Sequence, residues 1–219
     1  MGSYLLFRGG CVGYSINPNT PMSQLILEKL FDSPAKLRLL KLFLRNPGEI
    51  FSLADIRRRT MVETAAVKAQ LQKLEDMHLI VSTKKRGQNE YLYSVNPSFI
   101  FYNELQNLIL KSSPADEDKI ATRIRNMGKV RLVVLSGIFM KPERENSRTD
   151  VLVVADAISE RRFQNYIRQL EAEAGVEIQY TLLTTEEYEY RTKMFDRFLR
   201  DILEKPHRII VGKKKVSTV

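Results

Sequence analysis

The chain has 219 residues, 43% of them hydrophobic and 28% charged, with a formal net charge of +9 and a sequence pI of about 9.6. That is a globular composition, sufficient for one or two domains with a real core, and the basic excess favours polyanionic partners through phosphate neutralisation. Cys11 is the only cysteine, which rules out an internal disulfide and a cysteine-ligated zinc site and fits a reducing, cytoplasmic setting; no apolar run reaches the ~20 residues of a membrane span.

Residues 1–21 are rich in Gly, Asn and Pro and read as a flexible segment without the basic start or small-residue cleavage site of a secretory signal. Met1-Gly2 begins a myristoylation pattern, but Leu6 stands where Ser or Thr is needed. Met22 opens the first patterned segment and is a candidate natural start. Ser33 is placed to cap a helix with Pro34 at its first position. Leu37, Leu40, Leu42, Phe43 and Leu44 form its stripe, and Asn46-Pro47-Gly48 ends it. A short extended piece, 49–51, precedes a second helix capped by Ser52. A third helix fits 63–77, with Val67, Leu71 and Leu74 on one face. Two extended runs, 79–83 and 90–95, are joined by KKRGQN, whose Gly suits a hairpin tip. Asn96-Pro97 stops the second run, and a helix is expected over 98–111. His78 falls where a left-handed residue is common, a conformation His tolerates.

A polar, Pro-bearing linker and a connecting helix occupy 112–129. From 130 onward strands alternate with helices: VRLVVLSG (130–137), DVLVV (150–154), a helix over 159–174, VEIQYTLLT (176–184), helical segments to Leu203, then HRIIVGK (207–213). This order predicts an α/β unit with a mixed sheet. The domains expected are therefore 22–111 and 130–219, in an α+β or α/β chain.

Helix, short strand, helix, helix and hairpin is the order of a winged helix. The stretch RRRTMVETAAVKAQLQKLEDMHLIVSTKKRGQNEYLYSV resembles the recognition helix and wing of bacterial and archaeal winged-helix regulators. The resemblance implies a helix in the major groove and a wing tip on phosphate or in the minor groove. From Met22 to Lys111 there are 14 Lys and Arg against 9 Asp and Glu, and from 112 to 219 there are 20 against 17, so the surplus leans toward the first half. Two clusters lie where this fold meets phosphate: Arg57, Arg58 and Arg59, and Lys84, Lys85 and Arg86. Thr64, Ala65, Lys68, Ala69 and Gln72 are left on the outer face of the third helix. Small residues there allow close approach to base edges, and Lys and Gln can bond them. On a solvated surface the same residues would suit a protein-binding module.

LSGIFMKPERENSRTDVLVV (135–154) resembles the core of the nucleotidyltransferase fold in its small stand-alone form. That family ends a strand in Gly-Ser, begins the next with Asp-apolar-Asp, and adds a third acid on a later strand; the acids hold Mg2+. Gly137 matches the glycine and Asp150 the second acid. Ile138 stands in place of the serine and Arg148 in place of the first acid, and Glu177 or Gln179 falls at the third. The resemblance therefore implies a frame without catalysis, with Arg148 facing Asp150 as an ion pair and no metal or other cofactor. Gly137, Lys141, Arg144, Arg148 and Asp150 could hold a nucleotide or another anion. The whole chain resembles prokaryotic transcriptional regulators that join these two domains. The expected function is double-stranded DNA binding as a homodimer, paired through 98–111 or the C-terminal domain. The alternatives are an active nucleotidyltransferase and a protein-interaction scaffold.

Overall fold

The computed structural model describes residues 22–84, 87, 90–112, 114–140 and 148–212, and it is an α+β chain with two sheets. Helices α1 (Met22–Phe31) and α2 (Pro34–Arg45) are followed by β1 (Phe51–Ser52), α3 (Leu53–Thr60), α4 (Thr64–Asp76), β2 (Ile80–Lys84), β3 (Tyr91–Val95) and α5 (Tyr102–Lys111). The strands form an antiparallel sheet in the order β1-β3-β2. Ser33 accepts from Lys36 N at 3.2 Å and starts α2 with Pro34 beside it, as expected. Between α4 and β2, His78 takes φ 60°, also as expected. Two elements differ. Met22 to Phe31 forms a helix that the sequence did not mark. α5 starts at Tyr102 rather than 98, because Asn96 organises a turn: its side chain accepts from Ser98 N and its carbonyl from Phe99 N.

The second half contains α6 (Glu117–Arg125), β4 (Lys129–Leu135), a single 3-10 turn (Gly137–Phe139), β5 (Val151–Asp156), α7 (Glu160–Ala174), β6 (Tyr180–Leu183), α8 (Thr185–Lys193), α9 (Arg197–Glu204) and β7 (Arg208–Val211). The sheet order is β6-β5-β4-β7, with β5 and β6 parallel and the other pairs antiparallel, so it is mixed. Both faces of β4 and β5 are buried, which explains why these strands read as continuous apolar runs. Val133, Leu135, Val151 and Val153 face a core with α6 and α7. Leu132, Val134, Leu152 and Val154 face another with α9. β6 is shorter than the run 176–184, because Ile178 N and Gln179 N donate to the side chains of Glu171 and Asp150.

The two halves meet where α2 crosses the end of α7. Most of α2 from Leu37 to Leu44 is buried, including Lys41 at 1% exposure. One part of its surface packs on α3, α4 and α5, and another on α7. Lys41 Nζ donates to Glu173 O at 3.0 Å and Pro114 O at 3.1 Å. Asn46 Nδ2 donates to Leu42 O at 2.6 Å and Gly175 O at 2.7 Å. Gly175 ends α7 in the left-handed region, at φ 74°, and a Cβ there would lie 2.6 Å from the Lys41 carbonyl carbon. Burial, and next the Arg45 guanidinium, push the Lys41 amine from its ordinary 10.5 down to about 7.

Gly175→Ala should lower stability by about 3 kcal/mol in denaturant unfolding, because it adds left-handed strain and a backbone clash. A loss within about 0.5 kcal/mol would contradict this close approach. Lys41 also gives a pH dependence. Above pH 7 the folded chain has released a proton that the unfolded chain keeps up to 10.5, so this group adds stability as pH rises from 7 toward 10.5. Unfolding measured across that window should show a rise in the unaltered chain that Lys41→Met flattens; parallel curves would contradict it.

Candidate nucleic-acid interface

Ser52 both ends β1 and caps α3. Asp55 N donates to Ser52 Oγ at 3.1 Å, Ser52 N returns a bond to the Asp55 carboxylate, and the Ser52 hydroxyl foremost holds the Asp55 carboxyl below its usual range. Met61 closes α3 in the left-handed region, at φ 52°, and α4 begins three residues later. Val67, Leu71 and Leu74 seat α4 on the core, as expected. The two helices and β3 then enclose a groove of about 500 Å3, lined by Leu53, Arg57, Thr64, Lys68, Tyr91 and Tyr93 among others. Its mouth is basic on the helix side and aromatic on the strand side. Glu90 stands at the same groove.

The structure thus brings Arg57, Thr64 and Lys68 together. Ala65, Ala69 and Gln72 are exposed on α4 alongside them, and Gln72 donates to Asp76 one turn on at 2.9 Å. Lys84 is exposed at the end of β2; Lys85 and Arg86 lie outside the described residues. Arg58 is 75% exposed and pairs with Asp55 at 2.8 Å. Arg59 does not join the groove. Its guanidinium bridges Glu49 at 3.1 Å and Glu177 at 3.0 Å and sits 5.2 Å from the centre of the Phe51 ring. It therefore ties the first half to the second. Tyr91 and Tyr93 were not singled out from the sequence. Alternation along β3 could have found them, because both point to the face opposite Leu92.

Around Asp150 the arrangement differs from the expected ion pair. Asp150 is 1% exposed; its Oδ1 accepts from Ile138 N at 3.1 Å and its Oδ2 from Gln179 N at 2.9 Å. Gly137 reaches φ 51° to start the 3-10 turn that presents the Ile138 amide. The ion pair the structure gives Arg148 is with Asp201 on α9, at 3.8 Å. Glu177 is 73% exposed and belongs to Arg59, so Gln179, not Glu177, stands beside Asp150. Lys141 and Arg144 lie outside the described residues, and among the described residues no group of three His, Cys, Asp or Glu side chains could hold a metal ion. Asp150 acts as a brace joining three backbone segments.

Asp150→Asn should therefore destabilise the chain by about 1–3 kcal/mol, since an amide turns a donor toward one of two N–H groups. Unchanged thermal unfolding would contradict the brace. No protein-family model matches the chain, and neither a curated protein nor a solved structure is significantly similar to it.

Proposed function

We propose that the chain is a double-stranded DNA-binding protein, a transcriptional regulator in which residues 22–111 act as a winged helix. The observation that carries this reading is the convergence of Arg57, Thr64 and Lys68 on one groove between α3, α4 and the β2–β3 hairpin. Among the described residues neither Arg57 nor Lys68 makes an ion pair, so both cations are free to neutralise phosphate. Ala65 and Ala69 on the exposed side of α4 leave room for base edges. Without an arginine on that face, sequence discrimination is modest.

In this reading residues 130–212 form a nucleotidyltransferase-like frame that performs no transfer. What supports it is that both oxygens of Asp150 accept backbone N–H bonds and that Arg148 pairs with Asp201. A homodimer is part of the proposal, because half-site recognition pairs two copies. Ile100, Phe101 and Leu108 leave an exposed apolar strip at α5 for that contact.

Duplex binding measured by fluorescence anisotropy across a salt series tests the DNA reading. The logarithm of affinity should fall with the logarithm of salt, by about 0.9 per phosphate neutralised. Replacing Arg57 and Lys68 together by Ala should reduce that slope by about 2 while leaving the melting temperature unchanged. An unchanged slope would place the DNA elsewhere on the molecule. Phe101→Glu should convert a dimer to a monomer in sedimentation; a sedimentation profile identical to that of the unaltered chain would exclude α5 as the contact.

A further inference from the structure

The outward side of α7 carries a second set of arginines that form no ion pair among the described residues. Phe163, Ile167, Leu170 and Ala174 face the core of the C-terminal half. Directly opposite them, at spacings of four, three and four residues, run Arg161, Asn165, Arg168 and Ala172. The first three are exposed, yet Ala172 is buried at 1%. The stripe therefore points away from its own domain and ends where α2 and α3 cover the last turn of α7. Arg168 and Arg58 line one cleft at that crossing, about 320 Å3 in volume, floored by Leu42 and Val176. Exposed arginines thus run from Arg58 on α3, across a cleft that Arg59, Glu171 and Glu177 also line, to Arg168 and Arg161 on α7.

Each acid near this line has a local partner, and Glu177 is the one paired with a cation among the described residues. Glu171 accepts from Ile178 N at 3.0 Å, Glu177 holds Arg59, and Glu160 accepts from Gln164 at 3.1 Å. Arg168 donates to the neutral Asn165 at 3.0 Å, and among the described residues Arg161, Arg162 and Arg168 form no ion pair. Arg58 pairs with Asp55 only on the surface, in a contact of the kind worth about 0–1 kcal/mol. A phosphate can displace it. The spacing is also fixed, since Gly175 leaves no gap between α7 and α2.

We propose that Arg161 and Arg168, with Arg58 across the cleft, bind the sugar-phosphate backbone of the same duplex, so that the C-terminal half is a DNA-contacting surface. This rests on the DNA-binding reading above. It gives that half a part in holding DNA beyond the frame it supplies.

The test is salt-titrated duplex binding by the full chain carrying Arg161→Ala and Arg168→Ala together. A control is Arg197→Ala with Arg200→Ala, which removes two exposed charges from α9. The α7 pair should lower the log-log slope by about 2 and weaken binding by about ten-fold or more at ~0.1 M salt, while the α9 pair leaves the slope unchanged. All four side chains are exposed, so unfolding temperatures should stay level. A slope unchanged by the α7 pair, or lowered equally by both pairs, overturns the proposal. If that occurs while Arg57 and Lys68 still matter, only this extension falls. If the unaltered chain binds no duplex at low salt, the DNA reading and this proposal fall together.

Discussion

The last turn of α7 rests on the backbone of α2 with no space for a side chain at Gly175, and Lys41 and Asn46 bind the carbonyls that the helix end leaves open. Helix ends carry unsatisfied carbonyls and a partial negative charge, so an amine placed there meets both needs. Lys41 would be costly to bury on its own. It is tolerated because two carbonyl oxygens accept hydrogen bonds from it, and because burial lowers its pKa to about 7. This seat makes α2 a helix shared by both halves. Its apolar residues hold α3, α4 and α5 on one side, and its backbone holds α7 on the other. The distance between the groove at α4 and the outer face of α7 is therefore set by a packed joint.

The chain's charges then sort by what they already touch. Arg59 is 26% exposed and satisfied by two carboxylates and a ring, so removing it would loosen the joint. Arg208 is held by both oxygens of Glu117 at 2.7 Å and ties β7 to α6 within the second half. Arg57, Lys68, Arg161 and Arg168 have no such commitment among the described residues. A net charge alone favours polyanions without saying where they bind. In the proposed reading, the division between paired and unpaired cations puts that surface along the hairpin groove, past the cleft and onto α7.

Local signals in the sequence carried most of the first half. A serine before proline and a serine opening a helix suit a cap, a histidine after a helix tolerates the left-handed region, and Ser33, Ser52 and His78 adopt these geometries. Continuous apolar runs alternating with helical segments likewise gave β4 and β5 and a mixed sheet. What was hidden depends on contacts between residues far apart in the chain. Lys41 reads as a polar break in an apolar helix, and nothing local says that α7 covers it. Arg59 sits in a basic triplet with Arg57 and Arg58, yet one helical position decides whether an arginine faces the groove or the joint. Asp150 and Arg148 are two residues apart, which suggests a pair. The amides of Ile138 and Gln179 instead reach Asp150, from 12 and 29 residues away.

Amide hydrogen exchange of the full chain, with and without a duplex at low salt, tests the central claim most directly. Slower exchange on DNA binding should appear in α4, in β2 and β3, and along α7 around Arg161 to Arg168, while α8 and α9 stay unchanged. Protection confined to α8, α9 or α5, or no change at any amide under saturating duplex, would contradict the account.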